Sequence, residues 1–257
     1  MIIVDEARLQ RKDPSGRTWE ELLRAHYAHG WYSFEEFWQE QDWDNIPTFE
    51  KNPEESFVDG RLRPKDKSDM HPAKEKLLRW LGERVGHQPV TYLEFGVRHG
   101  MSLGWMTEAL THPDSQLHGF DTFEGLPEDW VPYWGANGIG GGQAQGAMKA
   151  SAPQTSDPRV TLHRGLFQDI LPGFLKENPP SGLKVINIDS DIYSSALYVL
   201  SMMHPYLEPG DYVYMDEFFD LLNEFAAFND YVRSFYVKDK YTLLGRAYDA
   251  FLFQYAG

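Results

Sequence analysis

The chain of 257 residues contains no cysteine. Disulfides, cysteine-ligated zinc, iron–sulfur clusters and thiol nucleophiles are therefore excluded. Positive charge is also scarce, because 24 Lys and Arg stand against 39 Asp and Glu, which gives a formal net charge of -15. Binding to nucleic acid, or to a membrane through a basic surface helix, would need clustered Lys and Arg. The composition disfavours both of these partners.

Long apolar runs are missing as well. No stretch of the sequence approaches the roughly 18 consecutive apolar residues of a membrane-spanning helix. The apolar start at Met1 to Val4 changes at once to Asp5 and Glu6, which does not resemble a secretory signal peptide. We therefore expect a soluble protein of the cytoplasm.

The residues that are present fall into two stretches of different character. Residues 1–72 are polar and aromatic, with short helices predicted at 19–23 and after Ser33, whose hydroxyl suits a helix N-cap. We expect this stretch to form an N-terminal helical cap or lid. Residues 73–257 alternate strand-like apolar runs with segments of helical periodicity. The alternation predicts an α/β fold with a Rossmann-like, doubly wound sheet of seven strands, mostly parallel with a C-terminal antiparallel strand.

An insert at residues 125–157 interrupts this alternation. It contains Pro127, Trp130, Tyr133, Trp134 and a glycine-rich run at 138–142. Connections of this length without secondary structure are usually functional or disordered. The aromatic residues favour a loop that folds over a ligand.

A glycine turn at the first strand of this domain suggests a nucleoside site. Gly96 and Gly100 allow a ligand to approach the backbone, although the dinucleotide pattern G-x-G-x-x-G is absent. Glu94, two residues before the first glycine, suits a ligand with a cationic amino acid end. Asp121 ends the next strand, where a carboxylate can accept both hydroxyls of a ribose.

Two later segments add to this site. Phe167 and Gln168 follow the third strand and can sandwich and hydrogen-bond a purine, or simply begin a helix. Carboxylates then follow two neighbouring strands, at 189, 191, 216 and 217. Ligands of open α/β sheets lie at the carboxyl ends of the strands, so these acids are expected to gather there and to need a counter-cation. Oxygen ligands of this kind suit Mg²⁺ or Ca²⁺.

The order of these segments resembles class I S-adenosylmethionine (SAM) methyltransferases. Within that class the chain is similar to the macrocin O-methyltransferase family, which methylates deoxysugars of antibiotic biosynthesis with the help of a metal. The resemblance covers about residues 75–255 and is carried by the stretches LEFGVRHGMS at 93–102, GFDTFEGLP at 119–127, IDSDIYSS at 188–195, and LEPG at 207–210 leading to DE at 216–217.

The resemblance implies a role for each residue of the predicted site. The first strand and its turn would hold the methionine part of SAM, the second strand the ribose, and the segment at 167–168 the adenine. The residues implied for cofactor binding are Glu94, Gly96, Arg98, Gly100, Ser102, Asp121, Phe167 and Gln168. Those implied for Mg²⁺ are Asp189, Asp216 and Glu217, the last of which replaces the second aspartate usual in the family.

The same resemblance implies a mechanism. A metal that chelates two adjacent hydroxyls would lower the pKa of one of them, and a carboxylate would then accept its proton. We expect Asp189 or Asp191 to be this catalytic base. The lysine base of catechol O-methyltransferase has no match, since Ile192 stands three residues after Asp189. The expected partner is a small-molecule acceptor, a deoxysugar, and a homo-oligomer is expected.

Two other functions remain open at this point. The triplet Asp189-Ser190-Asp191 matches the D-x-D metal motif of nucleotide-sugar glycosyltransferases, although such an enzyme would leave Glu94 and Asp121 without a role. A non-catalytic nucleoside-binding protein could keep the same fold. The clustered acids speak against it, because clustered like charge is costly unless it is used.

Overall fold

The computed structural model describes residues 10–51, 69–133 and 141–257, together with the backbone of 57–58 and 61–62. Trp134 and the glycines at 138 and 140, which belong to the predicted loop over the ligand, lie outside the described residues. The backbone of Phe57–Val58 pairs with that of Arg61–Leu62 as a short antiparallel ladder.

A seven-stranded sheet organises the described chain. Its strands lie in the order β3-β2-β1-β4-β5-β7-β6, and β7 runs antiparallel to both of its neighbours while the other pairs are parallel. This arrangement confirms the predicted fold. The strands are β1 Val90–Phe95, β2 Gln116–Asp121, β3 Val160–Arg164, β4 Leu183–Ile188, β5 Tyr212–Met215, β6 Tyr241–Ala247 and β7 Ala250–Tyr255.

Seven α-helices occur among the residues that the structure describes. None of them is long and apolar enough to cross a membrane. The predicted N-cap is confirmed, since Ser33 accepts a hydrogen bond from the backbone nitrogen of Glu36. The helices are α1 Trp19–His26, α2 Phe34–Gln39, α3 Met70–Val85, α4 Met101–Ala109, α5 Phe167–Glu177, α6 Tyr193–Met203 and α7 Glu224–Phe235.

The topology places a crevice at the carboxyl ends of β1 and β4. The chain moves outward from β1 to β2 and β3, then returns to the other side of β1 with β4. Such a reversal leaves room for a ligand outside the strand ends. Both strands are buried along most of their length, because helices cover the two faces of a parallel sheet. The crevice therefore has a rigid floor.

The described part of residues 1–72 packs on the same hydrophobic core. Phe34 lies edge-on to Phe219, with ring centroids 4.7 Å apart, and Phe37 packs against Phe218 at 5.1 Å. Asn229 in α7 accepts from the backbone nitrogen of Trp31 and donates to its carbonyl oxygen. The division into a cap at 1–72 and a methyltransferase-like domain at 73–257 stays a prediction, although these contacts join the two stretches firmly.

Candidate active site

A cavity of about 380 Å³ opens at the carboxyl ends of β1, β2, β4 and β5. Ten of the twelve residues predicted from the sequence as catalytic, cofactor-binding or metal-binding line it. They are Gly96, Arg98, Ser102, Asp121, Phe167, Gln168, Asp189, Asp191, Asp216 and Glu217. Glu94 and Gly100 are the two that do not.

Glu94 lies beneath the cavity and is completely buried. Its carboxylate accepts hydrogen bonds from the hydroxyls of Tyr92 and Ser102 and from the amide of Asn187. Burial raises the pKa of Glu94 to about 7, and the three hydrogen bonds hold it from rising further. Ser102 lines the cavity and donates a hydrogen bond to Glu94 at 3.0 Å. Its hydroxyl therefore lies between the buried carboxyl of Glu94 and the cavity.

The glycine turn joins the end of β1 to the end of β4. Gly96 has a φ of +100°, and a Cβ there would stand 1.7 Å from the carbonyl oxygen of Asp189. Gly100 begins α4 with a φ of +78°, and a Cβ there would meet the ring of Pro153 at 2.7 Å. Gly96 therefore shapes the cavity wall directly. Gly100 sets the path of the chain into α4 behind that wall.

Asp121 holds the neighbouring turns together. Its two carboxylate oxygens accept from the backbone nitrogens of Arg98 and Phe123, at 2.7 and 2.6 Å. Both partners have a positive φ, 49° and 56°, a backbone conformation that costs free energy in non-glycine residues. Each carboxylate oxygen can accept more than one hydrogen bond, so Asp121 retains capacity for the hydroxyls of a ribose.

The two residues predicted to contact adenine, Phe167 and Gln168, differ in their exposure. The ring of Phe167 lies edge-on to Phe95, with centroids 5.4 Å apart, and is largely buried. Gln168 is exposed at the beginning of α5. Both residues nevertheless line the cavity, one as an apolar wall and the other as a polar rim.

Six carboxylates gather at the other end of the cavity. They comprise the four predicted acids and two that sequence reasoning missed, and we call them the acid cluster: Asp189, Asp191, Asp216, Glu217, Glu224 and Asp249. Burial raises the pKa of Asp189, Glu217 and Glu224 well above its usual range. It raises the pKa of Asp191 to about 7, with Asp216 adding to the shift and Lys74 and Arg98 opposing it.

Lys74 of α3 enters this cluster, and it is the functional residue that the sequence analysis missed most clearly. Its buried ammonium lies 2.8 Å from Asp216 Oδ2 and 3.0 Å from Asp249 Oδ1. Burial lowers the pKa of Lys74, but Asp216 and Asp249 outweigh this and hold it well above its usual value. A signal was present in the sequence, because Lys74 falls on the face of α3 that Leu77, Leu78 and Leu81 bury.

The predicted magnesium site does not fit these contacts. Asp189, Asp216 and Glu217 all line the cavity. Yet among residues 10–51, 69–133 and 141–257 no three His, Asp or Glu side chains are arranged so that they could hold a metal ion. Asp216 uses one carboxylate oxygen for Lys74 and the other for the hydroxyl of Tyr214, at 2.7 Å. The magnesium requirement therefore stays a prediction that this donor set does not support.

Asp220 anchors the insert over the cavity. Its carboxylate accepts from the indole nitrogen of Trp130 at 3.0 Å and from the backbone nitrogen of Tyr133 at 2.8 Å. Asp220, four positions after Asp216, thus connects the end of β5 to the insert. Leu126 and Met148 of the insert line the cavity. That the insert folds over a ligand stays a prediction.

Comparison with known proteins agrees with this site. Residues 93–218 match a family described as a methyltransferase domain, which spans the glycine turn, the insert and most of the acid cluster. A search by sequence found no match among curated proteins.

Solved structures show the same fold. CalS11, a calicheamicin methyltransferase, is 20% identical with a TM-score of 0.59, covering 99% of this chain and 98% of its own. A structure of CalS11 described as a TDP-rhamnose 3'-O-methyltransferase is 19% identical with a TM-score of 0.51, covering 99% of this chain and 100% of its own. The O-methyltransferase NovP is 22% identical with a TM-score of 0.55, covering 72% of this chain and 80% of its own.

These findings agree with the residues brought together in the cavity. The matched range contains the strand, turn and acid motifs that first suggested the function, and the fold is shared with the O-methyltransferase NovP and with the methyltransferase CalS11. Residues 93–218 thus match a methyltransferase domain, which agrees with the prediction of a class I SAM-dependent methyltransferase.

Proposed function

We propose that the protein transfers a methyl group from SAM to a hydroxyl oxygen of a deoxysugar, carried by a nucleotide or by a natural product. The observation that carries the proposal is that one cavity is lined both by six of the eight predicted cofactor residues and by four of the six carboxylates of the acid cluster. A structure of similar fold over the whole chain is described as a TDP-rhamnose 3'-O-methyltransferase, which supports the choice of a sugar.

The cofactor end of the cavity suits SAM. The glycine turn leaves space at Gly96 that any side chain would fill, and Asp121 keeps acceptor capacity beside it. Glu94 places a buried carboxyl behind Ser102, where a cationic amino group of the methionine part would favour its ionised form. Phe167 and Gln168 form the wall and rim that adenine would contact.

Bound SAM supplies a methyl group on a sulfonium, which departs as a neutral thioether and needs no acid. The protein must hold the acceptor oxygen in line with that methyl group. As the new carbon–oxygen bond forms, the hydroxyl loses its proton, and we expect Asp189 or Asp191, which both line the cavity, to accept it. The insert that Asp220 anchors would exclude water during this step. No step of this scheme requires a metal.

Two alternatives have less support. The D-x-D glycosyltransferase leaves the glycine turn and Asp121 without a role, and the family match assigns a methyltransferase domain instead. A non-catalytic SAM-binding protein would keep the cofactor end but would have no use for the acid cluster. A homo-oligomer and a cytoplasmic location remain predictions.

The test is a methyl-transfer assay with SAM and TDP-rhamnose, analysed by mass spectrometry. We expect a product heavier by one methylene unit together with stoichiometric S-adenosylhomocysteine. A panel of natural-product glycosides distinguishes the two carriers of the sugar. Tight S-adenosylhomocysteine binding without transfer to any sugar or glycoside of the panel would contradict the proposed acceptor.

A further inference from the structure

The ammonium of Lys74 lies between two carboxylates of the acid cluster. It donates to the carbonyl oxygen of Asp216 at 3.0 Å and to Asp216 Oδ2 at 2.8 Å, and Asp249 Oδ1 lies 3.0 Å away. An ammonium has three N–H donors. Two of them are used by Asp216, and the ion pair with Asp249 places the ammonium between residues on two different strand connections.

These partners are fixed from several directions. Asp216 follows β5 and Asp249 lies in the turn between β6 and β7, while Lys74 comes from the first part of α3. The side chains of Lys74 and Asp249 are each 6% exposed. The remaining oxygen of Asp216 accepts from Tyr214. Each carboxylate oxygen of Asp216 thus already accepts one hydrogen bond, from Lys74 or from Tyr214.

A divalent cation bound by Asp216 would compete with this arrangement. It would need an oxygen that already holds Lys74 or Tyr214, and it would lie close to a buried positive charge. Like charges at short range in a partly buried site repel each other more strongly than they do in water. Lys74 and Asp249 both fall outside the segment that matches the methyltransferase family, residues 93–218, so that match does not reveal this pairing.

We propose that Lys74 occupies the place of a divalent cation at the acceptor end of the cavity, so that this methyltransferase site works without a metal. Lys74 acts as a positioning residue: it holds Asp216 and Asp249 in place and supplies the counter-charge that the acid cluster needs. The inference rests on the proposed methyl-transfer function of the same cavity, but not on the identity of the acceptor.

The experiment measures Mn²⁺ binding by electron paramagnetic resonance in wild-type protein and in Lys74→Met, each with S-adenosylhomocysteine present. Met keeps the length of the side chain and removes the charge. Lys184→Met is the matched control, because Lys184 is also buried between two carboxylates, Asp211 and Glu208, each 3.1 Å away. Lys184 is the second residue of β4 and lies at the opposite end of the strand from the cavity.

We expect wild-type protein and Lys184→Met to bind no Mn²⁺ up to about 1 mM, the weak end of protein sites for divalent cations. We expect Lys74→Met to gain a site, which Asp216→Asn in the same chain removes. Stoichiometric Mn²⁺ binding by wild-type protein that Asp216→Asn abolishes would overturn the inference, as would a folded Lys74→Met that binds none. If Lys74→Met does not fold, the wild-type titration still decides.

S-adenosylhomocysteine affinity, measured on the same samples, keeps this test separate from the proposed function. If wild-type protein does not bind S-adenosylhomocysteine, the proposed methyl-transfer function itself is contradicted. If wild-type protein binds both Mn²⁺ and S-adenosylhomocysteine, only the inference that the site works without a metal is contradicted.

Discussion

The α-carbon of Gly96 packs against the carbonyl oxygen of Asp189, so closely that a Cβ would stand 1.7 Å from it. This contact joins the turn that should hold the cofactor to the strand end that carries the proposed base. Gly96 also has a φ of +100°, which side chains rarely adopt. One residue therefore sets the spacing between the two halves of the site.

Gly96→Ala should disturb both halves at once. We expect the free energy of unfolding to fall by about 1–3 kcal/mol or more, from overpacking and backbone strain, and S-adenosylhomocysteine binding to be lost. Thermal unfolding and calorimetry measure the two effects. Gly173→Ala is the control, since nothing lies within 4 Å of a Cβ there and alanine in a helix should stabilise by about 0.5–1 kcal/mol. Normal binding in Gly96→Ala would contradict the close contact.

Glu94 should make both stability and cofactor binding depend on pH. Tyr92 and Asn187 face it from β1 and β4, Ser102 faces it from α4, and the charge of Asp216 adds to its raised pKa. Between the ordinary pKa of 4.5 and about 7, the folded protein holds a proton that the unfolded chain has lost. The contribution of Glu94 to the free energy of unfolding therefore decreases as the pH rises through this range.

A cationic ligand should bind more tightly once Glu94 is ionised. We expect S-adenosylhomocysteine affinity to increase between about pH 6 and pH 8, and we expect Glu94→Gln to bind more weakly and to lose this dependence. Calorimetry across the range checks both points. Identical pH profiles for wild-type protein and Glu94→Gln would exclude Glu94 as the source.

The proposed base should be separable from cofactor binding. Replacement of the responsible carboxylate, by Asp189→Asn or Asp191→Asn, should lower turnover by about 10²–10⁴, the usual contribution of a general base. S-adenosylhomocysteine affinity should change little. Steady-state kinetics identify which of the two aspartates carries the larger effect. Asp114→Asn, in a side chain that is 80% exposed, is the control, and full turnover in both site variants would rule out a base at this strand end.

The contacts of Asp220 with the insert should matter for binding of the acceptor. Asp220→Ala leaves the buried indole nitrogen of Trp130 and the backbone nitrogen of Tyr133 without their acceptor. Unsatisfied buried groups cost about 1–3 kcal/mol each, so we expect the insert to loosen, and KM for the acceptor to rise more than the S-adenosylhomocysteine dissociation constant. Trp130→Phe removes one of these hydrogen bonds and should have a smaller effect. Equal acceptor KM in wild-type protein and Asp220→Ala would contradict a role in covering the site.

The sequence predicted the strand framework well, and the reasons are local. The run at 184–188 is apolar at most positions because both faces of β4 are buried, and the turn at Gly210 precedes β5 as expected. The spacing of apolar residues predicts a helix over 221–236, whereas the helix of the structure, α7, begins at Glu224. Asp220 and Asn223 are engaged in contacts with the insert instead, and these contacts connect residues about 90 positions apart.

The site was predicted less completely, because its chemistry depends on contacts between distant segments. Lys74 and Asp216 are 142 residues apart in the chain, and a lysine within an apolar helical pattern more often extends its charged end to solvent. Glu94 was expected to hold the ligand, but its place beneath Ser102 depends on the burial of β1 as a whole. Gly100 does not line the cavity as Gly96 does, and the spacing of the two glycines in the sequence does not show this difference.

The most direct test of the central claim is calorimetric titration of wild-type protein with S-adenosylhomocysteine, once with Mg²⁺ and once with EDTA. We expect one site of micromolar affinity with the same dissociation constant in both titrations. Absence of binding in both would contradict the assignment of the cavity to SAM and, with it, the proposed methyl transfer.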